Sequence, residues 1–214
     1  MTTRKRPPPD SDPSIASLAA LRVATQACRA CPLGARATQA VNGEGPLRPR
    51  VMLVGEQPGD QEDRMGRPFV GPSGRLLDRA LVQLGWSRDE VYMTNAVRHF
   101  KFELRGKRRM HKTPAQQEIA ACLDWLEREI ELVAPKVIVA LGATAARALL
   151  GRPIAVMRER GHWLEREDGL RVLITLHPSA LLRLPPDQRE EAFGQWIDDL
   201  RLALVRPGQN QPTP

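Results

Sequence analysis

The sequence predicts an α/β protein, a three-layer α/β/α sandwich around a central, mainly parallel four-stranded sheet. Two observations carry that expectation. Short apolar runs alternate along the chain with amphipathic helical stretches, the order that repeated β-then-α units require. The runs are apolar at consecutive positions rather than alternate ones, as strands buried on both faces must be.

Taken in order, residues 1–13 and 206–214 are rich in proline, charge and polar groups. They hold too few apolar side chains to offset chain entropy, so both are expected to be disordered tails around one domain over 14–205. Val51-Met-Leu-Val54 reads as the first strand, followed by a helix over 73–84. Val91-Tyr-Met-Thr94 is the second strand, followed by a helix over 114–133 whose apolar face is Ile119, Cys122, Leu123, Leu126, Ile130 and Val133. Val137-Ile-Val-Ala-Leu141 precedes a helix over 143–150, and Val172-Leu-Ile-Thr-Leu176 precedes one over 187–205. In an open parallel sheet the site forms beyond the carboxyl ends of the strands. The segments after Val54, Thr94, Leu141 and Leu176 are therefore the places to search.

Composition narrows the function. Lys and Arg total 32 against 25 Asp and Glu, a formal charge of +7, which suits an anionic partner such as nucleic acid. The most apolar long stretch, from Ile130 to Leu150, is broken by Glu131, Pro135, Lys136 and Arg147, so no membrane span is expected. The basic N-terminus lacks the apolar segment of a signal peptide, and a cytoplasmic protein is expected. Three cysteines, two of them in Cys28-Arg-Ala-Cys31, argue against a disulfide framework and fit thiolates that bind metal. Cys122 fits the apolar stripe of its helix well enough to be a core residue. If it is a ligand, a four-donor centre is still one short, and a histidine is the natural fourth donor.

Three strand ends carry unusual chemistry. After the first comes Gly55-Glu-Gln-Pro-Gly-Asp-Gln-Glu-Asp63, then Gly66-Arg-Pro-Phe-Val-Gly-Pro-Ser-Gly74, either a shaped ligand loop or an ordinary acidic surface loop. After the second stands Asn95, an amide that can read a base edge or simply form a turn. It is followed by Arg98 to Lys112, in which seven Lys or Arg face a single Glu103; this is read as an exposed basic loop for phosphates, with a solvated charge run as the alternative. After the last strand, Pro178 holds His177 out of helix at the strand terminus. Such a histidine is structural, or it stabilises charge on a leaving group.

Together, the Gly55-Glu-Gln-Pro-Gly-Asp loop with Phe69 downstream and the His177-Pro-Ser segment resemble the uracil-DNA glycosylase superfamily, specifically its iron-sulfur members, over about residues 20–205. Ordinary members have a cysteine at the position of His99 and a short loop before the next helix. His99 and the insertion Gly106-Lys-Arg-Arg-Met-His-Lys-Thr-Pro114 look like the UdgX class, which becomes covalently linked to uracil-containing DNA through a loop histidine that His111 matches by position.

That resemblance implies a [4Fe-4S] cluster on Cys28, Cys31, His99 and Cys122, ordering the fold near DNA without redox work. It implies a base flipped or presented single-stranded, with single-stranded DNA preferred. Phe69 stacks on the base, Asn95 and Gln57 bind its edges, and His177 favours its departure. Lys107, Arg108, Arg109 and Arg183 take phosphates, and Leu181-Leu182 form a wedge. His111 attacks the sugar, helped by Glu56 or, as second choice, Asp60. The expected product is protein-linked DNA. An ordinary hydrolytic glycosylase with turnover is the alternative, and a non-catalytic iron-sulfur DNA-binding module the third reading. No spare apolar helix face stands out, so a monomer is expected.

Overall fold

A computed structural model describes residues 15–204 and contains the expected sandwich, with one strand more than the apolar runs suggest. The expected tails lie outside the described residues. The described chain opens with α1 (Leu18–Gln26), capped by the Ser17 hydroxyl, and a short α2 (Leu33–Arg36). Next come β1 (Val51–Gly55), α3 (Asp60–Met65), α4 (Pro72–Leu84) and β2 (Tyr92–Asn95). β3 (Phe102–Arg105) and β4 (Arg108–His111) form a separate hairpin before α5 (Gln116–Val133). β5 (Val137–Leu141), α6 (Ala143–Leu150), α7 (Val156–Glu159), β6 (Trp163–Glu165), β7 (Arg171–Thr175), α8 (Pro178–Leu182) and α9 (Arg189–Arg201) complete it.

The main sheet runs β2-β1-β5-β7-β6, with the first four strands parallel and β6 antiparallel at the edge. The four expected strands are those four. The fifth, β6, has three residues, two half-buried and one exposed, too short to give a periodic signal. Every residue of β1 and β5 is buried, because successive side chains enter opposite layers. Val51, Leu53 and Val139 pack with Leu77, Leu81 and Trp196 of α4 and α9. Met52, Val54, Ile138 and Ala140 pack on the other face with Leu126, Ile130 and Ala146 of α5 and α6. Among the described residues no helix is long and apolar enough to cross a membrane.

The basic segment is not the exposed loop that Gly106 and the lack of helical periodicity suggest. Phe102 pairs with His111 and Leu104 with Arg109, and a two-residue turn with Gly106 at φ 59° joins the strands, the positive φ that a tight hairpin turn needs. The alternation is real but half of it is arginine and histidine, so it does not read as apolar.

Charge also enters the core. Glu129, on the apolar face of α5, is fully buried and lies 2.9 Å from Nη1 of the fully buried Arg98. Its carboxylate also accepts from Gly43 N (2.9 Å), the Tyr92 hydroxyl (3.0 Å) and the Thr94 hydroxyl (2.7 Å). One carboxylate thus ties α5, β2 and the 41–44 segment together. A buried pair broken on one side leaves an uncompensated charge, so Glu129→Ala is expected to lower the unfolding free energy by about 3–5 kcal/mol in urea titration. Glu131→Ala, which removes only a surface pair to Arg128, should cost less than ~1 kcal/mol.

Candidate active site

All four parallel strands end at one cleft of about 770 Å³. β1 supplies Glu56 and Gln57, β2 supplies Asn95, β5 leads to Gly142 and Thr144, and β7 leads to His177; Phe69, His111 and Arg183 complete the wall. This is the carboxyl edge of the sheet, where strand order requires it.

The floor is set by close backbone approach. A Cβ on Gly55 would overlap the Asn95 amide and the Phe69 ring, so glycine lets both come over the end of β1. Phe69 is buried and sits at φ 53°, a left-handed conformation that costs a non-glycine residue strain. Arg88 holds it there by donating to Phe69 O (3.2 Å) and Pro68 O (2.7 Å), and Gly74 leaves room for its carbonyl. Glu62 pins the same loop, accepting from Gly59 N, Val70 N and Gly71 N. The Phe69 ring faces His177 at 6.4 Å between centroids. The Asn95 side chain makes no hydrogen bond among the described residues and lines the cleft.

His177 caps α8. Its Nδ1 accepts from Ser179 N at 3.2 Å and stands 2.8 Å from the Ser179 hydroxyl, to which Arg183 donates at 3.3 Å. An accepting Nδ1 puts the proton of the neutral ring on Nε2, leaving a donor for a ligand. Burial lowers its pKa to about 4, with the charges of His111 and Arg183 pushing the same way.

His111 ends β4 with a half-exposed side chain, its Nε2 3.4 Å from Glu56 Oε1. Desolvation lowers its pKa, the Glu56 carboxylate opposes that, and Arg183 adds to it. The other Glu56 oxygen accepts from the Thr144 hydroxyl at 2.5 Å. Thr144 follows the one strand end that seemed to carry no chemistry, and only its position over Glu56 reveals it.

Three assignments change. Asp60 is taken up by Arg64 (2.9 Å) and Arg109 (2.5 Å), so Glu56 and not Asp60 faces His111. Arg109 reaches inward to Asp60 and Asp63, the latter at 2.6 Å, and is no free phosphate ligand. Leu181 is buried in the core beneath α8 and cannot serve as a wedge; Leu182 is half-buried. Gln57 lines the cleft, but its side-chain amide is engaged with the hairpin base, donating to Lys112 O (2.9 Å) and Lys101 O (3.4 Å) and accepting from Lys101 N (3.0 Å). Lys107, Arg108 and Arg183 remain exposed. The spacing of Asp60 and Asp63 on one helix face, three residues apart, was the available sign of an internal arginine clamp.

Cys31 and Cys122 share one packed cluster, and Cys28 is near enough for its charge to be felt at Cys122. The thiols are free, Cys31 packs against the Cys122, Val97 and Leu33 cluster, and the His99 ring lies against the 28–34 turn at Gly34. Burial pushes the Cys122 thiol up to about 11, against the pull of the Arg98 backbone N–H and charge. Burial and then the Arg29 charge hold the His99 imidazole below its usual pKa.

Residues 42–201 match the family model described as uracil DNA glycosylase superfamily. The chain is 42% identical over 182 residues to a type-4 uracil-DNA glycosylase of Thermotoga maritima, covering 85% of this chain and 91% of that one. It is 40% identical over 165 residues to the type-4 enzyme of Pyrobaculum aerophilum (74% and 81% covered) and 33% over 193 residues to that of Archaeoglobus fulgidus (87% and 91%).

His177 should appear by nitrogen NMR as a neutral ring with its proton on Nε2, staying neutral as pH falls through 6 and charging near 4. Between about 4 and the ordinary 6.5 the unfolded chain then binds more protons at this residue than the folded one. Stability should fall with falling pH across that window, and His177→Gln should flatten the slope.

Proposed function

The chain belongs to the uracil-DNA glycosylase superfamily, and from that premise we propose that it excises uracil from DNA by cleaving the N-glycosidic bond in the cleft. The observation that carries this reading is the convergence of Phe69, Asn95, Glu56 and His177 at one sheet edge, inside the residues that the family model matches.

An extruded uracil stacks on Phe69 and presents its polar edge to the free Asn95 amide. Cleavage sends the bonding electron pair onto the ring, and the Nε2–H of neutral His177 stabilises the charge that develops there. Gln57 acts by holding the hairpin, its side chain being engaged. Lys107, Arg108 and Arg183 grip phosphates. With Leu181 in the core, a strand that arrives already unpaired is the favoured substrate, which excess unlabelled single or double strands would test by competition.

The sugar cation has two fates. The names of the relatives support a glycosylase and say nothing of a covalent product, and they favour the first: water attacks C1′, Glu56 takes its proton, and the enzyme turns over. One observation favours a second reading. His111 reaches the cleft within 3.4 Å of Glu56, on a hairpin fastened down by Gln57 and Arg109. There the lone pair of an unprotonated Nε2 bonds to C1′, the Glu56 carboxylate stabilises the positive charge of the alkylated ring, and the other ring nitrogen then gives up its proton to solvent, leaving DNA attached to the protein.

Cys28, Cys31, His99 and Cys122 are proposed to hold a [4Fe-4S] cluster. Free thiols and an imidazole are the right donors, and Arg98 beside them carries two buried N–H-bearing atoms with no partner, as an anionic guest would require. Among the described residues no three His, Cys, Asp or Glu are drawn close enough for a single ion; a cluster takes one ligand per iron and needs donors spread around it. When bound, the cluster braces the 28–36 turn, the 97–99 segment and α5 against one another.

Labelled uracil-containing DNA, with a thymine control, would be incubated with the protein, boiled in SDS and run on a denaturing gel. Alkali-labile sites that accumulate beyond one per protein establish turnover, and an upshifted band that is absent in His111→Ala establishes capture. Neither product from uracil DNA would refute excision. Gly55→Ala, which displaces Phe69 and Asn95, should lower excision about 100-fold.

A further inference from the structure

Arg98 is completely buried, and only one of its three guanidinium nitrogens is used. Nη1 donates to the Thr94 hydroxyl at 2.5 Å and lies 2.9 Å from Glu129. Nε and Nη2 make no hydrogen bond, and among the described residues they are the only buried side-chain nitrogen or oxygen atoms in that condition. Charged donors are the costliest groups to leave unmet, so a buried pair of them marks an acceptor that the protein chain itself does not provide.

The neighbours identify that acceptor's chemistry. Arg98 stands in sequence between Val97, which packs on Cys122, and His99. Its charge is felt by both Cys122 and His99. Glu129 and Thr94 are both committed to Nη1, and no group of the described residues meets the other two nitrogens. Resting on the cluster reading above, we infer that Arg98 is a positioning residue for the iron-sulfur cluster, its Nε and Nη2 donating to cluster sulfur while Glu129 holds the guanidinium in place.

Hydrogen bonds and positive charge at cluster sulfur stabilise the more negative, reduced state, so they raise the reduction potential, and outer donors of this kind also help to retain metal. Arg98 and Glu129 therefore push the potential in opposite directions, which a purely structural ion pair would not do.

The test uses holoprotein purified without oxygen. Iron and sulfide content, iron loss to a chelator and the potential by spectroelectrochemistry are compared in wild type, Arg98→Lys, Glu129→Gln and the double variant Arg98→Met/Glu129→Gln. Arg98→Lys keeps the charge and loses the fork; the double variant leaves no unpaired buried charge and so keeps the fold testable. Arg98→Lys and the double variant should move the potential negative and lose iron roughly 10–100-fold faster, while Glu129→Gln moves the potential positive. Wild-type potential and retention in both Arg98 variants would overturn the assignment while leaving the cluster standing. Wild-type protein without iron would overturn the cluster and this inference together, and uracil excision, measured separately, would be untouched by either result.

Discussion

The buried contact between Arg98 and Glu129 is the constraint on which the rest of this structure depends. Neither side chain reaches water, so each needs the other, and meeting that need fixes three pieces of chain at once. Glu129 anchors α5 to the end of β2 through Tyr92 and Thr94 and to the incoming chain through Gly43. Arg98 carries the constraint past the end of β2, between the cleft residue Asn95 and His99. A shift of this pair would therefore move the Asn95 end of β2 and the cysteine-rich corner together. Buried pairs add little net stability against an apolar replacement; their effect here is to leave one arrangement of α5 against β2.

The hairpin illustrates how charge can serve two purposes within one short segment. Arg109 and His111 lie on its inner face with Phe102 and Leu104, while Arg105, Arg108 and Met110 lie on the outer. The inner arginine is consumed by Asp60 and Asp63 and stacks near Phe100 and Phe102 at 5.5 and 5.1 Å. It fastens the hairpin to α3, and Gln57 fastens its base to β1, so His111 is held at the cleft by two unrelated anchors. The outer cations keep their solvent exposure. A run that looks uniform in sequence is half fastening and half surface.

Within the cleft, electrostatics favour uncharged imidazoles. Both His111 and His177 lie where burial penalises a positive ring; His177 also feels the charges of His111 and Arg183, and His111 that of Arg183 against the opposing Glu56 carboxylate. A neutral His177 whose Nδ1 is occupied by Ser179 is a donor of known direction without a titratable charge at working pH. Phe69, strained and clamped by Arg88, is likewise set before any ligand arrives. The cleft is organised in advance, which is what stabilising a short-lived charge distribution requires.

The sandwich, the four parallel strands and the helices around them could be read from the sequence, because apolar runs and helical periodicity report burial directly. The Gly55–Asp60 loop, Asn95 and His177 were also legible, since strand order dictates which ends meet, while Phe69 was expected only from the family resemblance. Tertiary structure alone decided the rest. It showed β3 and β4 where charge hid the alternation, turned Arg109 inward, placed Leu181 in the core, chose Glu56 over Asp60 as the neighbour of His111, and brought Thr144 to Glu56 from a strand end that had looked silent. The physical reason is common to all of these: periodicity and composition say which side chains prefer burial, but which cation finds which carboxylate is settled by distances between segments far apart in the chain.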